Sequence, residues 1–165
     1  MKKPELARIR LLFLDVDGVL TNGKIMLNAS GEESKSFDVK DGLGIKRLLE
    51  KGIEVVIISG RESRAVDRRA KELGISHVYQ GIKDKRQLCR SILGERKLEK
   101  EHACAMGDDV VDIGMFLESG VKVAVADAAE EVRENADLVT ESRGGNGAVR
   151  ELCDMILKEI ESSVH

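Results

Sequence analysis

Aromatic residues are nearly missing from this chain of 165 residues, which has no Trp, one Tyr and three Phe. Proteins that hold single-stranded nucleic acids stack the bases on aromatic side chains, and this sequence offers few such platforms. An excess of positive charge is missing as well, because the formal net charge is −3. Since phosphate backbones attract basic surfaces, the composition argues against a nucleic-acid partner.

Cysteine and proline are also scarce. The three cysteines, Cys89, Cys104 and Cys153, are odd in number, lie far apart and form no Cys-x-x-Cys pair. They therefore indicate neither a disulfide framework nor a thiolate zinc site, and reduced thiols predict a cytoplasmic location. Pro4 is the sole proline, and no linker or repeat divides the chain. We expect one domain over residues 1–165.

The apolar runs are short, and none approaches the roughly 20 residues of a membrane-spanning helix, so we expect no membrane partner. Strand-like runs are found at Leu11–Leu14, Ile53–Ile58, His77–Tyr79, Ala103–Met106, Val121–Val125 and Leu138–Val139. Helical patterns lie between and after them, at Gly42–Lys51, Glu62–Leu73, Lys85–Leu93, Val110–Glu118, Glu130–Asn135 and Ala148–Ile160. This alternation predicts an α/β fold with a doubly wound, mostly parallel sheet and helices on both faces.

The segment 23–41 breaks the alternation. An apolar stretch, Lys24–Leu27, precedes a turn at Asn28–Gly31 and a second extended stretch, Glu32–Val39. This pattern predicts a β-hairpin that projects over the end of the first strand. Because Ile25 through Leu27 would be exposed on such a hairpin, the pattern favours an oligomer contact.

The first predicted strand ends in Asp15-Val16-Asp17-Gly18-Val19, directly after the apolar run Ile9–Leu14. Two carboxylates at the end of a buried strand are costly unless a cation or a substrate uses them. In open α/β sheets, ligands bind at the carboxyl ends of the strands. The simpler alternative for this stretch is a polar turn after a strand.

Three later strand ends also carry polar groups: Ser59-Gly60-Arg61, Lys85, and the acidic run from Gly107 to Asp112. Each has an ordinary structural alternative, namely a helix cap, a surface lysine and a solvated turn. Their succession at the ends of parallel strands instead predicts one cleft. Carboxylates there suit Mg²⁺, and the hydroxyl, the amine and a nearby helix N-terminus suit a phosphate.

This ordered set resembles the haloacid dehalogenase superfamily of phosphotransferases, which has a Rossmann-like fold. The resemblance implies that Asp15 attacks phosphorus and forms an aspartyl-phosphate. It implies that Asp17 protonates the leaving oxygen and then activates the hydrolytic water. Ser59 and Lys85 would hold the phosphoryl oxygens.

The same resemblance implies a Mg²⁺ cofactor. Its ligands would be Asp15, Asp108 and the backbone carbonyl of Asp17, with Asp109 and Asp112 in supporting roles. Many members of the superfamily carry a cap domain, but the spacings from Asp15 to Ser59 and from Ser59 to Lys85 leave no room for one. An open cleft needs another wall to exclude water, and a neighbouring subunit in a homo-oligomer would supply it.

Finer matches, at Ser36–Gly42, Ile58–Arg61, Ala124–Ala128 and Gly144–Glu151, resemble the family of 3-deoxy-D-manno-octulosonate 8-phosphate phosphatases. That family implies hydrolysis of a sugar acid phosphate in lipopolysaccharide biosynthesis, and a tetramer with the hairpins at its centre. It also implies that the C-terminal tail, with its helix at about 148–161, approaches a neighbour's active site.

The implied substrate contacts are Asp17, Asp38, Val39, Lys40, Asp41, Gly42, Gly60, Arg61, Arg69 and Lys85. Lys40 stands where this family more often has Arg. The Arg61 guanidinium is chemically apt, because it can bind the carboxylate of a sugar acid in a fork.

Three alternatives remain at this point. One is a phosphatase for a nine-carbon keto sugar acid phosphate, although such relatives tend to have an acidic residue at the position of Arg61. The second is a non-catalytic, phosphatase-like assembly domain of the kind attached to sialic-acid cytidylyltransferases. The third, a phosphorylation-regulated receiver domain, would need its acceptor Asp at a later strand, where this chain has Ser59.

Overall fold

A computed structural model of the protein describes residues 4–164. Its strands are β1 (Leu11–Leu14), β2 (Met26–Leu27), β3 (Glu33–Ser34), β4 (Glu54–Ile58), β5 (His77–Tyr79), β6 (Ala103–Gly107), β7 (Val121–Ala124) and β8 (Leu138–Val139). Its α-helices are α1 (Val39–Glu50), α2 (Arg64–Leu73), α3 (Lys85–Arg96), α4 (Ile113–Leu117), α5 (Glu130–Glu134) and α6 (Ala148–Ser163). Within the described residues, no helix has the length and apolar character needed to cross a membrane.

Six strands form one parallel sheet in the order β5-β4-β1-β6-β7-β8. Right-handed crossovers then place α1 and α2 on one face and α3, α4 and α5 on the other. Helix α6 packs against α1, and α3 packs against α4. The predicted doubly wound α/β fold is confirmed.

Strand β1 lies at the centre of this sheet, and its four residues are fully buried. At its carboxyl end, Leu14 is paired with Ile57 of β4 and with Met106 of β6. The chain order moves outward from β1 in both directions, first through β4 and β5, then through β6, β7 and β8. This is the switch point at which open α/β sheets bind ligands, and Asp15 follows β1 directly into it.

Helix starts differ most from the sequence expectations, because side-chain caps decide them. Helix α1 begins at Val39 rather than Gly42, since the Asp38 side chain accepts hydrogen bonds from the backbone N–H groups of Lys40 (2.6 Å) and Asp41 (3.3 Å). The helix expected at Val110–Glu118 splits into a 3₁₀ turn and the short α4. Asp109 caps that turn through the backbone N–H of Val110, 2.7 Å away.

The expected hairpin is present as two short antiparallel strands. Met26 pairs with Ser34 and Leu27 pairs with Glu33. The Asn28 side chain closes the turn by accepting the backbone N–H groups of Ser30 (3.0 Å) and Glu32 (2.9 Å). The side chains of Ile25, Met26 and Leu27 are 51%, 64% and 62% exposed, so this hairpin carries an apolar surface.

A buried carboxylate ties α3 to α4. Glu118, directly after α4, accepts hydrogen bonds from Nε of Arg86 (2.8 Å) and Nη2 of Arg90 (3.0 Å), both on α3. The Lys100 ammonium lies 3.1 Å from its other oxygen. Burial alone raises the pKa of Glu118, but the hydrogen bonds from Arg86, Arg90 and Lys100 together lower it to about 2.

We expect Glu118→Gln to lower the free energy of unfolding at pH 7 by about 1–2 kcal/mol, because charge-assisted hydrogen bonds are lost while the cations stay half exposed. Since the folded pKa lies below the unfolded value of 4.5, this contribution is present above pH 4.5 and is lost as the pH falls toward 2. Urea unfolding at pH 7 and pH 3 measures it. The control Glu95→Gln changes a glutamate of α3 whose side chain is 66% exposed, and it should change the stability little. If Glu118→Gln lowered the free energy of unfolding by the same amount at pH 7 and at pH 3, the prediction would be contradicted.

Candidate active site

The chain turns sharply after β1. The Asp15 backbone N–H donates to the Met106 carbonyl (3.3 Å), and Gly18 then adopts a φ of 86°. The Thr21 hydroxyl oxygen closes the turn by accepting the N–H groups of Gly18 (3.3 Å) and Gly23 (3.2 Å). Asp15 is buried at the start of this turn and Asp17 is partly buried within it.

The loop before α6 supports this turn from behind. The Gly145 N–H donates to the Val19 carbonyl (2.9 Å). A Cβ atom at Gly144 would overlap the carbonyl oxygen of Gly18, and one at Gly145 would overlap the backbone of Thr21. The glycine-rich stretch thus lets two backbone segments of the same chain lie in direct contact.

Lys85 is the first residue of α3, and its side chain is buried between two carboxylates. Its ammonium donates to Oδ1 of Asp15 (2.9 Å) and to Oδ1 of Asp112 (2.7 Å). Burial by itself lowers the pKa of Lys85, but the negative charges of Asp15 and Asp112 outweigh it and raise the pKa. Lys85 is therefore a charged amine held in the interior.

Asp112 is fully buried, and both of its oxygens are occupied. Oδ1 accepts from Lys85, whereas Oδ2 accepts the backbone N–H groups of Asp108 (2.9 Å) and Asp109 (3.3 Å). Asp112 therefore fixes the loop that follows β6. The carboxylate of Asp108, held by that loop, lies against Gly18, where a Cβ atom would overlap it.

The oxygens of Asp15, Asp108 and Asp112 lie within 4.8 Å of one another. Burial and the charge of the neighbouring carboxylates raise the pKa values of Asp15 and Asp108. Three carboxylates face one ammonium, so a divalent cation would balance the charge. The hard oxygen donors suit Mg²⁺, and since Asp112 is already occupied, Asp15 and Asp108 are the carboxylates free to hold it.

Ser59 directly follows β4 and is buried. Its N–H donates to the Tyr79 carbonyl (2.9 Å), its carbonyl accepts from the Ile82 N–H (3.0 Å), and its hydroxyl oxygen accepts the Arg61 N–H (3.3 Å). The residue at the N-cap of α2 is Ser63, so the Ser59 side chain is not used as a helix cap.

An open cleft of about 250 Å³ is lined by seven of the predicted site residues. Its walls are formed by Asp15, Asp17, Gly23, Gly60, Arg61, Lys85, Asp108, Asp109 and Val111. Ser59 precedes Gly60 in the chain and is buried directly beside this wall. The strand ends that the sequence singled out therefore do converge on one site.

The remaining predicted substrate contacts do not line this cleft; they are Asp38, Val39, Lys40, Asp41, Gly42 and Arg69. Arg69 of α2 packs over the start of α1, with its Nη2 3.4 Å from the Asp38 carbonyl and its guanidinium 5.9 Å from the centre of the Phe37 ring. A Cβ atom at Gly42 would overlap this guanidinium. Val39 and Lys40 are exposed.

Asp41 faces the start of α6 instead of the cleft. Its Oδ1 accepts the Arg150 N–H (2.9 Å), while its Oδ2 is buried without a hydrogen-bond partner. Burial raises the pKa of Asp41 to about 6, against the opposing hydrogen bond from Arg150. Its contact with substrate, like that of the other residues at the start of α1, stays a prediction.

Two residues of the hairpin contact the cleft residues Asp17 and Arg61 and were missed from the sequence. The Lys35 ammonium lies 2.6 Å from Oδ1 of Asp17 and 2.7 Å from Oε1 of Glu33. Nη2 of Arg61 is 2.5 Å from Oε2 of Glu33, and Nε of Arg61 is 4.0 Å from Oδ2 of Asp17. The available signal was the spacing of Glu33 and Lys35, which places both side chains on one face of a strand.

Known proteins with similar sequences and structures point to one family. A family model described as haloacid dehalogenase-like hydrolase matches residues 76–152. The 3-deoxy-D-manno-octulosonate 8-phosphate phosphatase KdsC of Yersinia pestis is 44% identical over 151 residues, which cover 92% of this chain and 81% of that protein. KdsC of Escherichia coli K12 is 46% identical over 149 residues, which cover 90% and 79%.

A solved structure of the same enzyme from Moraxella catarrhalis, in complex with magnesium ion, phosphate ion and KDO, superposes with a TM-score of 0.92. It is 42% identical, and the superposition covers 97% of this chain and 94% of that one. Such identity over nearly the whole length is far more than a shared fold requires. The chain belongs to the 3-deoxy-D-manno-octulosonate 8-phosphate phosphatase family of the haloacid dehalogenase-like hydrolases.

Proposed function

We propose that this protein hydrolyses 3-deoxy-D-manno-octulosonate 8-phosphate to the free sugar acid and phosphate. The observation that carries the proposal is the buried Asp15 carboxylate, held by the Lys85 ammonium at 2.9 Å in an open cleft beside Asp17. A carboxylate in that setting is a nucleophile with a cation already placed for an incoming phosphate. The relatives that match most of this chain carry the name of this activity.

In the proposed mechanism, an oxygen of Asp15 attacks phosphorus and the sugar oxygen leaves, which gives an aspartyl-phosphate. Asp17, two residues further along the turn, donates the proton to the leaving oxygen. As the resulting carboxylate, Asp17 then takes a proton from a water molecule that attacks the same phosphorus and releases Asp15. Both residues line the cleft, so each can reach the reacting group.

Other residues of the site stabilise the phosphoryl group. Lys85 and the Ser59 hydroxyl hold its oxygens as charge shifts toward them. Mg²⁺, held by Asp15, Asp108 and the backbone carbonyl of Asp17, supplies further neutralisation of phosphate charge when it is bound. Asp112 and Asp109 keep the loop of Asp108 in place through the hydrogen bonds described above.

Substrate recognition is assigned first to Gly60 and Arg61 in the cleft wall, with the Arg61 guanidinium binding the sugar acid carboxylate. We retain Asp38, Val39, Lys40, Asp41, Gly42 and Arg69 as further substrate contacts on the strength of the family resemblance. The same resemblance supports a role in lipopolysaccharide biosynthesis.

A cytoplasmic location is proposed from the thiols. Cys89, Cys104 and Cys153 are free and buried, and burial raises the pKa values of all three, so they are kept as unreactive thiols. Fractionation of cells that produce the protein tests this: recovery from a periplasmic extract would contradict it.

Phosphate release from eight- and nine-carbon keto sugar acid phosphates tests the function. We expect kcat/KM to be about tenfold or more higher for the eight-carbon substrate. Asp15→Asn should lower kcat by at least about 10³-fold, because the amide cannot attack phosphorus. Chelation should abolish activity and Mg²⁺ should restore it.

The matched control for that series is Asp154→Asn, which changes an aspartate on α6 whose side chain is 46% exposed. It should retain parental activity. Activity that survives Asp15→Asn or chelation would contradict the mechanism, and equal turnover of every sugar phosphate would contradict the substrate assignment.

Gly18→Ala should weaken Mg²⁺ binding by about tenfold or more, because the added methyl group would displace the Asp108 carboxylate. Calorimetric titration with Mg²⁺ measures the affinity. Gly52→Ala is the control, since Gly52 also has a positive φ (78°) but open space around its Cβ position. The control should lose about 1 kcal/mol of stability and bind Mg²⁺ normally. Equal Mg²⁺ affinity in both variants would show that Gly18 does not set the position of Asp108.

We also propose that the protein is a homotetramer in which the exposed apolar hairpins meet. Met26→Lys should weaken assembly by about tenfold or more, because it would bury an ammonium in an apolar contact. Sedimentation velocity over a range of concentrations measures this. Leu117→Lys, at an apolar side chain 49% exposed on the end of α4, should leave assembly unchanged. A monomeric parent at all concentrations would contradict the proposal.

A further inference from the structure

Four charged side chains form a ring at the mouth of the cleft. The order is Asp17, Lys35, Glu33 and Arg61, with Arg61 next to Asp17 again, so the charges alternate in sign. The ion-pair distances are 2.6, 2.7, 2.5 and 4.0 Å around the ring. Two of the four residues belong to the hairpin and two to the catalytic strand ends.

The Lys35 side chain is 2% exposed, which makes it the fixed member of the ring. It holds Glu33 from one side, while Arg61, whose side chain is 48% exposed, holds the other oxygen of the same carboxylate. The ammonium of Lys35 and the hydrogen bond from Arg61 lower the pKa of Glu33, so it is an anion at neutral pH. Glu33 therefore presents to Arg61 the same chemical group that a sugar acid substrate carries.

We propose that Glu33 is a specificity-determining residue whose carboxylate occupies the Arg61 guanidinium in the free enzyme and is exchanged there for the carboxylate of the substrate. The proposal rests on the proposed function, since it takes Arg61 as the recognition site for a sugar acid. A guanidinium can bind a carboxylate in a fork through Nε and Nη2 or through Nη1 and Nη2. Both pairs include Nη2, the nitrogen that Glu33 contacts at 2.5 Å, so the two anions compete for it.

The exchange leaves no buried charge without a partner. Once Arg61 turns to the substrate, Glu33 keeps the Lys35 ammonium at 2.7 Å. A phosphate ester that has no carboxylate cannot replace Glu33 at Arg61. The ring thus favours ligands that carry a phosphate and a carboxylate together.

Steady-state kinetics of Glu33→Gln provides the test, with Glu32→Gln as the matched control. Glu32 lies on the same exposed hairpin and hydrogen-bonds with Asn28, away from Arg61. For 3-deoxy-D-manno-octulosonate 8-phosphate, we expect Glu33→Gln to lower KM about two- to fivefold at nearly unchanged kcat, the range expected for a partly exposed ion pair. The KM for p-nitrophenyl phosphate, which has no carboxylate, should not change.

The affinity for free 3-deoxy-D-manno-octulosonate, measured by calorimetry, should rise by the same factor in Glu33→Gln and stay parental in Glu32→Gln. Glu33→Asp keeps the negative charge near Lys35 but withdraws it from Arg61. Like Glu33→Gln, it should lower the KM for the sugar acid phosphate and raise the affinity for the free sugar acid. It serves as the second variant if Glu33→Gln folds poorly.

An unchanged or higher KM in the Glu33 variants would overturn the proposal, because a residue that merely orients Arg61 would weaken substrate binding when removed. An equal change for both phosphate esters would overturn it as well. The failure of the proposed function has a different signature: the parent enzyme itself would not hydrolyse the sugar acid phosphate.

Discussion

The buried ammonium of Lys85, held between Asp15 and Asp112, is the interaction on which the rest of the site depends. An ionised amine in a protein interior needs close counter-charges, and the two carboxylates supply them. The addition of Asp108 nearby makes the negative charge exceed the positive one. The site is therefore organised for further positive charge, which suits a metal ion, and for a phosphate that the metal and Lys85 can share.

The parallel sheet explains how groups so distant in sequence share one ammonium. The ends of β1, β4 and β6 are adjacent in the sheet, so the residues that follow these strands meet at one edge. Glycines at two positions then let the acidic side chains lie directly against the backbone. Gly18 lies against the Asp108 carboxylate. A Cβ atom at Gly107 would overlap the Cβ atom of Asp112. Side chains at these two positions would push the acidic groups apart.

The strand-end residues could be predicted because the geometry of a parallel sheet determines where they meet. Asp15, Lys85 and Asp108 belong to this class. Contacts that depend on the orientation of an element in space could not be predicted from the spacing of apolar residues in the sequence. Lys35 reaches Asp17 only because the hairpin folds back over the cleft. Asp41 turns toward α6 because the Asp38 cap starts α1 three residues earlier than expected, which sets the face on which Asp41 lies.

The contact between Gly145 and Val19 has a consequence for the order in which this enzyme matures. The turn that presents the nucleophile is synthesised before strands β4 to β8, whereas the loop that backs it is synthesised after them. Such a long separation in sequence delays the contact until most of the chain is available to close the loop. A growing chain can assemble its first strands and helices while its catalytic turn is still unsupported. The support for the reactive turn therefore becomes available only after the strands between residues 19 and 145 have been synthesised.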